Sequence, residues 1–194
     1  MPIAAEPMQF DHVAIAARSL DEGADWLEAR LGLRPEPGGK HPLMGTHNLL
    51  LSLGPHEYLE LIAIDPEAPA LDRPRWFGLD SFDGPPRVAG WAVRQSPLQA
   101  PPGTTIAAAT RGSLAWRITL PDSGQMPRGG AEPMRIAWDG DDHPGHHLRD
   151  RGLRLARLAV PLERLDIADR RIMLTGTGTP MQLTLTGPAG EVTL

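Results

Sequence analysis

Cysteine is absent from this chain. That gap removes disulfides, thiolate metal sites and cysteine nucleophiles together. Lysine is nearly absent too: every basic residue except Lys40 is arginine. Aromatic residues make up only 5% of the chain, and the formal net charge is −5 with no basic run. A nucleic-acid partner is not expected, because such binding needs a basic, aromatic-studded surface. No apolar run approaches the length that spans a bilayer, so no membrane partner is expected either. The start, MPIAAEPMQF, lacks the basic region and apolar core of a signal peptide. The expected setting is the cytoplasm. No serine-centred triad is recognisable, and no phosphate-binding glycine loop runs from a strand into a helix.

What is present is enough for a sizeable core. Of 194 residues, 41% are apolar, which suits one compact domain or two small ones. The stretch from His41 to Asp65 organises the rest. It reads as two strands, Asn48 to Leu53 and Tyr58 to Ile64, joined by a tight turn at Gly54-Pro55-His56-Glu57. If Leu53 and Tyr58 close the hairpin, alternation puts His47, Leu49, Leu51, Tyr58, Glu60 and Ile62 on one face. Both faces are mostly apolar, so a carboxylate at Glu60 needs a reason, because an unpaired buried charge is costly. In that register Glu60 lies opposite Leu51, and His47 is about 13 Å away along the strand, which makes it a rim residue or a support behind the ligands.

Phe10 to Ala16 is a short strand with His12, Ala14 and Ala16 on one face, the small residues leaving space beside the imidazole. A helix follows. Ser19 caps it with Glu22, Leu20, Ala24, Leu27 and Leu31 form its buried stripe, and Gly32 ends it. Leu33 to Pro37 then suits an edge strand. Gly38-Gly39-Lys40-His41 reads as a flexible loop. There the glycines allow close backbone approach, Lys40 is placed to meet an anionic ligand group, and His41 can reach inward. Residues 67–89 are a proline- and glycine-rich connector whose Trp76, Phe77 and Phe82 predict a segment packed across a core edge.

The second half echoes the first. Gly90 to Arg94, Thr105 to Thr110, Ser113 to Leu120 and Met134 to Trp138 read as strands, with Pro97, Pro101 and Pro102 shortening or removing the helix. Asp139, Asp141, Asp142, His143, His146 and His147 form a second polar cluster, but Pro144 and Gly145 weaken any helical metal spacing there. Leu153 to Val160 is a strand and Leu162 to Ala168 a short helix. Arg171 to Thr175, Met181 to Thr186 and Glu191 to Leu194 are strands. The predicted fold class is therefore α+β, built of repeated βαβββ units. Residues 8–66 form the first unit, 90–140 a degenerate second, and 153–194 a short third, all in one compact domain.

Three segments carry a family resemblance: Asp11-His12-Val13-Ala14-Ile15, the run from Gly38 through Asn48, and Tyr58-Leu59-Glu60-Leu61-Ile62. Trp116-Arg117, Trp138-Asp139-Gly140 and the segment Gly187 to Val192 extend it over most of the chain. The chain resembles the vicinal oxygen chelate superfamily, and within it the glyoxalase-like branch. The resemblance implies curved mixed sheets around a cup that takes a small oxygenated molecule. It also implies a divalent metal, one of Zn, Fe, Mn, Ni or Co, held by His12 and Glu60 and acting as a Lewis acid. The family's partner unit supplies further ligands. Here Trp91 stands near the first of those places, and Ala137, Trp138 and Asp139 near the second; if the last unit is the partner, the place falls near Thr193. The expected ligand set is thus incomplete.

Two functions follow. One is a metal-dependent lyase, isomerase or dioxygenase in which His12 and Glu60 hold the metal or act as acid and base. Lys40, His41, His47, Tyr58, Trp91 and Trp116 would then contact the substrate. The other is a metal-free binding or sequestering protein, like the drug-resistance members, in which Trp91 or Trp116 floors an aromatic pocket. The cup could close within one chain or between the two chains of a homodimer.

Overall fold

The computed structural model describes residues 7–176 and 178–194. Its centre is β1, Gln9–Ala16, followed by α1, Leu20–Leu31. Three strands complete the first unit: β2, Glu36–His41; β3, Thr46–Gly54; and β4, Glu57–Ile64. A connector with a short 3₁₀ segment at Trp76–Ser81 leads to the second unit. That unit is β5, Arg87–Arg94; β6, Thr104–Arg111; β7, Leu114–Pro121; and β8, Met134–Trp138. The last stretch holds a single helical turn, α2, Pro144–His147. Strands β9, Arg154–Val160; β10, Ile172–Leu174; β11, Gln182–Gly187; and β12, Gly190–Thr193 follow it.

Local sequence accounts for α1. The Ser19 hydroxyl accepts from the Glu22 amide at 3.2 Å, and Gly32, at φ 65°, donates its N–H to the Glu28 carbonyl. Gly23, Ala24, Leu27 and Leu31 are its buried face. No helix joins β5 to β6 among the described residues, as the three prolines there predict. The helix expected at Leu162 to Ala168 does not form either. That segment is irregular, with Leu162 and Ile167 packed on the core and Ile167 bridged to Met8. Tertiary packing overrides helix propensity there.

The first and second units share one eight-stranded sheet in the order β2-β3-β4-β1-β5-β8-β7-β6. β1 pairs parallel with β4 and antiparallel with β5, and β5 pairs parallel with β8. The sheet therefore has a pseudo-twofold axis between β1 and β5. It curls until its edges meet, with Gly39 of β2 against Arg111 of β6. The four C-terminal strands form a separate sheet, β10-β9-β11-β12. They do not complete the cup. Instead Leu155, Leu158, Val160, Leu183 and Leu185 pack with Val13, Ile15, Leu51, Leu53 and α1 into one core on the outer face of the first unit. Arg171 ties this layer to β4 through a two-pronged pair with Glu57, at 2.8 and 2.5 Å. A second core fills the concave side and includes Ala14, Ala16, Ile62, Trp76, Trp116 and Ile136.

Two expectations about the first unit need correction. Residues 38–41 are not a loop but most of β2, paired to β3 through a bulge between Pro37 and Gly39. The β3–β4 register is also one residue off the expected one. A bulge between Ser52 and Gly54 pairs Ser52 with Tyr58 and Leu50 with Glu60. A one-residue slip turns every side chain of a strand over. Asn48, Leu50 and Ser52 thus share the concave face with Glu60, and His47, Leu49 and Leu51 face the other way.

Candidate functional site

The site begins at the start of β1. A bulge between Phe10 and His12 leaves Asp11 without a partner on β5 and brings its carboxylate beside the next imidazole. His12 Nδ1 lies 2.6 Å from Asp11 Oδ1. The other oxygen, Oδ2, accepts from Arg94 Nη1 at 3.0 Å, Trp138 Nε1 at 3.0 Å and His143 Nε2 at 3.2 Å. His143 is oriented for this by accepting the Gly145 amide on Nδ1. Asp11 is wholly buried. Burial alone would raise its carboxyl pKa, but the hydrogen bonds from His12 and His143 and their charges outweigh it and hold the group well below the usual range. A fixed carboxylate on Nδ1 leaves Nε2 as the working atom of His12. The imidazole is also held flat on Tyr58, ring centroids 4.6 Å apart. Burial pushes the Tyr58 hydroxyl well above its ordinary pKa, so it stays protonated.

Glu60 faces this imidazole from β4. Its Oε2 is 3.8 Å from His12 Nε2, beyond direct hydrogen-bonding reach but close enough for one atom to bridge. Its Oε1 accepts from Asn48 Nδ2 at 2.6 Å. The remaining Asn48 N–H points at His41 Nε2, 3.3 Å away, and His41 Nδ1 is 3.1 Å from Thr46 Oγ1. This chain of donors assigns His41 as a neutral imidazole that donates from Nδ1 and accepts at Nε2. Its pKa agrees: burial, only partly offset by the Glu60 charge, pushes it down to about 4. His41 is thus a support for Asn48 and Glu60.

Around these groups lies a narrow, partly open cavity of about 20 Å³, room for roughly one water. His12, His41, Tyr58, Glu60 and Arg111 supply its polar wall, and Trp76, Phe77, Trp116 and Trp138 much of its aromatic wall. The connector contributes Trp76 and Phe77 to this wall. Trp76 is pinned by donating to Thr46 Oγ1 at 3.2 Å, and its ring stands edge-on to His41.

Of the residues expected at the site, His12, Glu60, His41, Tyr58 and Trp116 surround this cavity. Three do not. Lys40 is paired outside with Asp65 at 2.9 Å and Glu67 at 2.6 Å. His47 is on the opposite side of β3, because of the register slip. Trp91 is fully buried in the outer core, stacked near Phe10 and donating Nε1–H to the Ala131 carbonyl at 2.8 Å. Asp11, Asn48, Trp76, Arg111 and Trp138 belong to the site although their pattern in the sequence does not mark them. Two bulges hide Asp11 and Asn48, and the others approach from distant strands and the connector.

The metal set implied by the resemblance does not fit these residues. By the pseudo-twofold, Ala92 opposes His12 across β1 and β5, and Ile136 stands in the second unit where Glu60 stands in the first. Neither side chain can bind a metal. Asp139 is exposed and 3.4 Å from Arg117, and Thr193 belongs to the separate sheet. Among the described residues, no group of three or more His, Asp or Glu side chains is arranged to hold a metal ion. Of the other buried polar groups, Asp11 and the Asn48 amide nitrogen position His12 and Glu60, His41 Nε2 accepts from that amide, and Asn48 Oδ1 has no partner.

None of the curated proteins matches the chain. A hypothetical protein from Staphylococcus aureus superposes with a TM-score of 0.50 at 12% identity, over 78% of this chain and 69% of that one. Methylmalonyl-CoA epimerase from Mycobacterium tuberculosis gives 0.46 at 20% identity, over 73% and 94%. The Streptomyces coelicolor epimerase in complex with 2-nitronate-propionyl-CoA gives 0.44 at 16%, over 69% and 97%. A model of the glyoxalase-like domain matches residues 10–172, which covers both units of the curled sheet, and the chain belongs to that family.

Proposed function

We propose that this protein is an enzyme that moves a proton on a small oxygenated molecule held in the cup, with Glu60 and His12 as base and acid. One observation carries the reading. The free Oε2 of Glu60 and Nε2 of His12 face each other at 3.8 Å inside the cup, and each is fixed from behind by a buried partner. An acid and a base on either side of a gap wide enough for one bridging atom form a proton-transfer device. Glu60 Oε2 would take the proton from a carbon next to a carbonyl. Protonated at Nε2, His12 would give a proton to the carbonyl oxygen as the enolate charge develops. Asp11 keeps the imidazole oriented and stabilises its charged form, and Tyr58 holds it in plane. The reaction class is isomerase or lyase. The aromatic wall of Trp76, Trp116 and Trp138 lowers the polarity around the pair, which strengthens its electrostatic interactions.

The test is deuterium wash-in. The protein is incubated in D₂O with a panel of short 2-oxo acids, 2-hydroxy aldehydes and 2-hydroxy ketones, and loss of the C–H signal is followed by NMR. At least one compound should exchange, and Glu60→Gln should slow that exchange about 10²–10⁴-fold. Exchange at the wild-type rate in Glu60→Gln, or none across the panel, would overturn the reading. The same aromatic wall supports the sequestering function. Tight binding of planar aromatics without any exchange is the result that favours it.

A further inference from the structure

The cavity beside Glu60 is narrow, and one group on its wall also faces an open groove. Arg111, the last residue of β6, lines both the inner cavity and an open groove of about 630 Å³ between the meeting edges of the sheet. Its stem crosses β2 at Gly39, where a Cβ would lie 2.7 Å from Arg111 Cδ. Gly39 has a φ of 154°, so a side chain there would be strained as well as crowded. The glycine makes room for the arginine.

The other charged groups of the groove are engaged: Glu36 with Arg151, Lys40 with Asp65 and Glu67, and His147 with Asp142. Arg111 is half-buried and, among the described residues, makes no hydrogen bond or ion pair. A half-buried guanidinium with five donors and no protein partner is free to meet a ligand anion. Its charge reaches into the cavity, where it bears on His41 and Tyr58. The opposite wall is less free, since Trp76 is held by Thr46 and packed on His41.

We infer that Arg111, on the shared wall of the groove and the cavity, binds the carboxylate of a short oxo- or hydroxy-acid and so directs its oxygenated carbon toward His12 and Glu60. This rests on the acid–base reading of that pair and names its substrate class. A carboxylate fits better than a phosphate. One planar fork can pair both carboxylate oxygens, and no second unpaired cation stands beside it for a dianion. Because Glu60 is itself an acid, the substrate's carboxylate must sit at the end away from it. The substrate is therefore bifunctional, with its anion at the groove and its carbonyl inside.

Calorimetric titration tests this with pyruvate, pyruvamide and inorganic phosphate as probes. Pyruvate should bind the wild-type protein, pyruvamide should bind at least tenfold more weakly, and phosphate should bind more weakly than pyruvate. Arg111→Gln should weaken pyruvate at least tenfold and Arg111→Lys by less, since lysine keeps the charge but loses the fork. Circular dichroism of both variants guards against misfolding. Glu60→Gln should retain pyruvate binding, which separates this assignment from the catalytic one. If Glu60→Gln leaves deuterium exchange intact while Arg111→Gln abolishes pyruvate binding, the acid–base reading fails and the anion site stands. Unchanged pyruvate affinity in Arg111→Gln, equal affinity for pyruvamide, tighter binding of phosphate, or no binding of pyruvate to the wild type would each overturn the anion site.

Discussion

At the scale of single residues, the site depends on how two carboxylates are held. Asp11 is a buried anion with four donors on it, and Glu60 has one oxygen clamped and one free. Removing the Asp11 charge leaves His12, His143 and Arg94 facing a weaker acceptor. Asp11→Asn should cost on the order of 3 kcal/mol, read as a drop in the urea midpoint. His41 gives a pH signature. Its folded pKa of about 4 lies below the ordinary 6.5, so the unfolded chain binds more protons between those values. Its contribution to stability is complete above about pH 6.5 and is lost as pH falls towards 4. Thermal melts across that range should show a slope that His41→Gln removes; an identical slope in the variant would contradict the assignment. His12 and Glu60 were legible in the sequence because a polar residue inside an apolar strand stands out. Asn48 was not, because its face depends on a bulge at Ser52–Gly54 that no periodicity announces. The same holds for Asp11, since neighbouring residues on a regular strand point apart.

At the scale of elements, β2 connects backbone geometry to the site. Its glycines, read as a flexible loop, are an ordered strand that leaves space for two functional side chains. A Cβ on Gly38 would stand 2.0 Å from Asn48 Oδ1, as one on Gly39 would crowd Arg111. Gly38→Ala should therefore displace Asn48, release Glu60, and destabilise by about 1–3 kcal/mol as overpacking does. Chemical denaturation measures the second effect and deuterium wash-in the first. α1 was legible down to its caps because capping and amphipathic spacing are local signals. The missing helix at Leu162 to Ala168 was not, because its apolar residues serve packing against β1 and the outer core.

At the scale of the whole molecule, the two units of the curled sheet make the cup and the C-terminal sheet supports it from outside. The repeat pattern in the sequence revealed the strands but not which later unit pairs with the first. β5 and β8 settle that by taking the central places beside β1. The C-terminal layer covers Val13, Ile15, Leu51 and Leu53 on the back of the strands that carry His12 and Glu60. Deleting residues 153–194 would expose that apolar face. The shortened chain should lose cooperative unfolding, seen as a broad or absent calorimetric transition, whereas a sharp transition would show that the cup folds alone. This layer is also the reason Trp91 cannot serve the pocket: it points into the outer core.

The claim that His12 and Glu60 act as one device is tested most directly by a double-mutant cycle on deuterium wash-in. If they work as a unit, Glu60→Gln, His12→Gln and the double variant should slow exchange by nearly the same factor, because either loss disables the pair. Losses that multiply in the double variant, or a His12→Gln variant as fast as wild type, would contradict it.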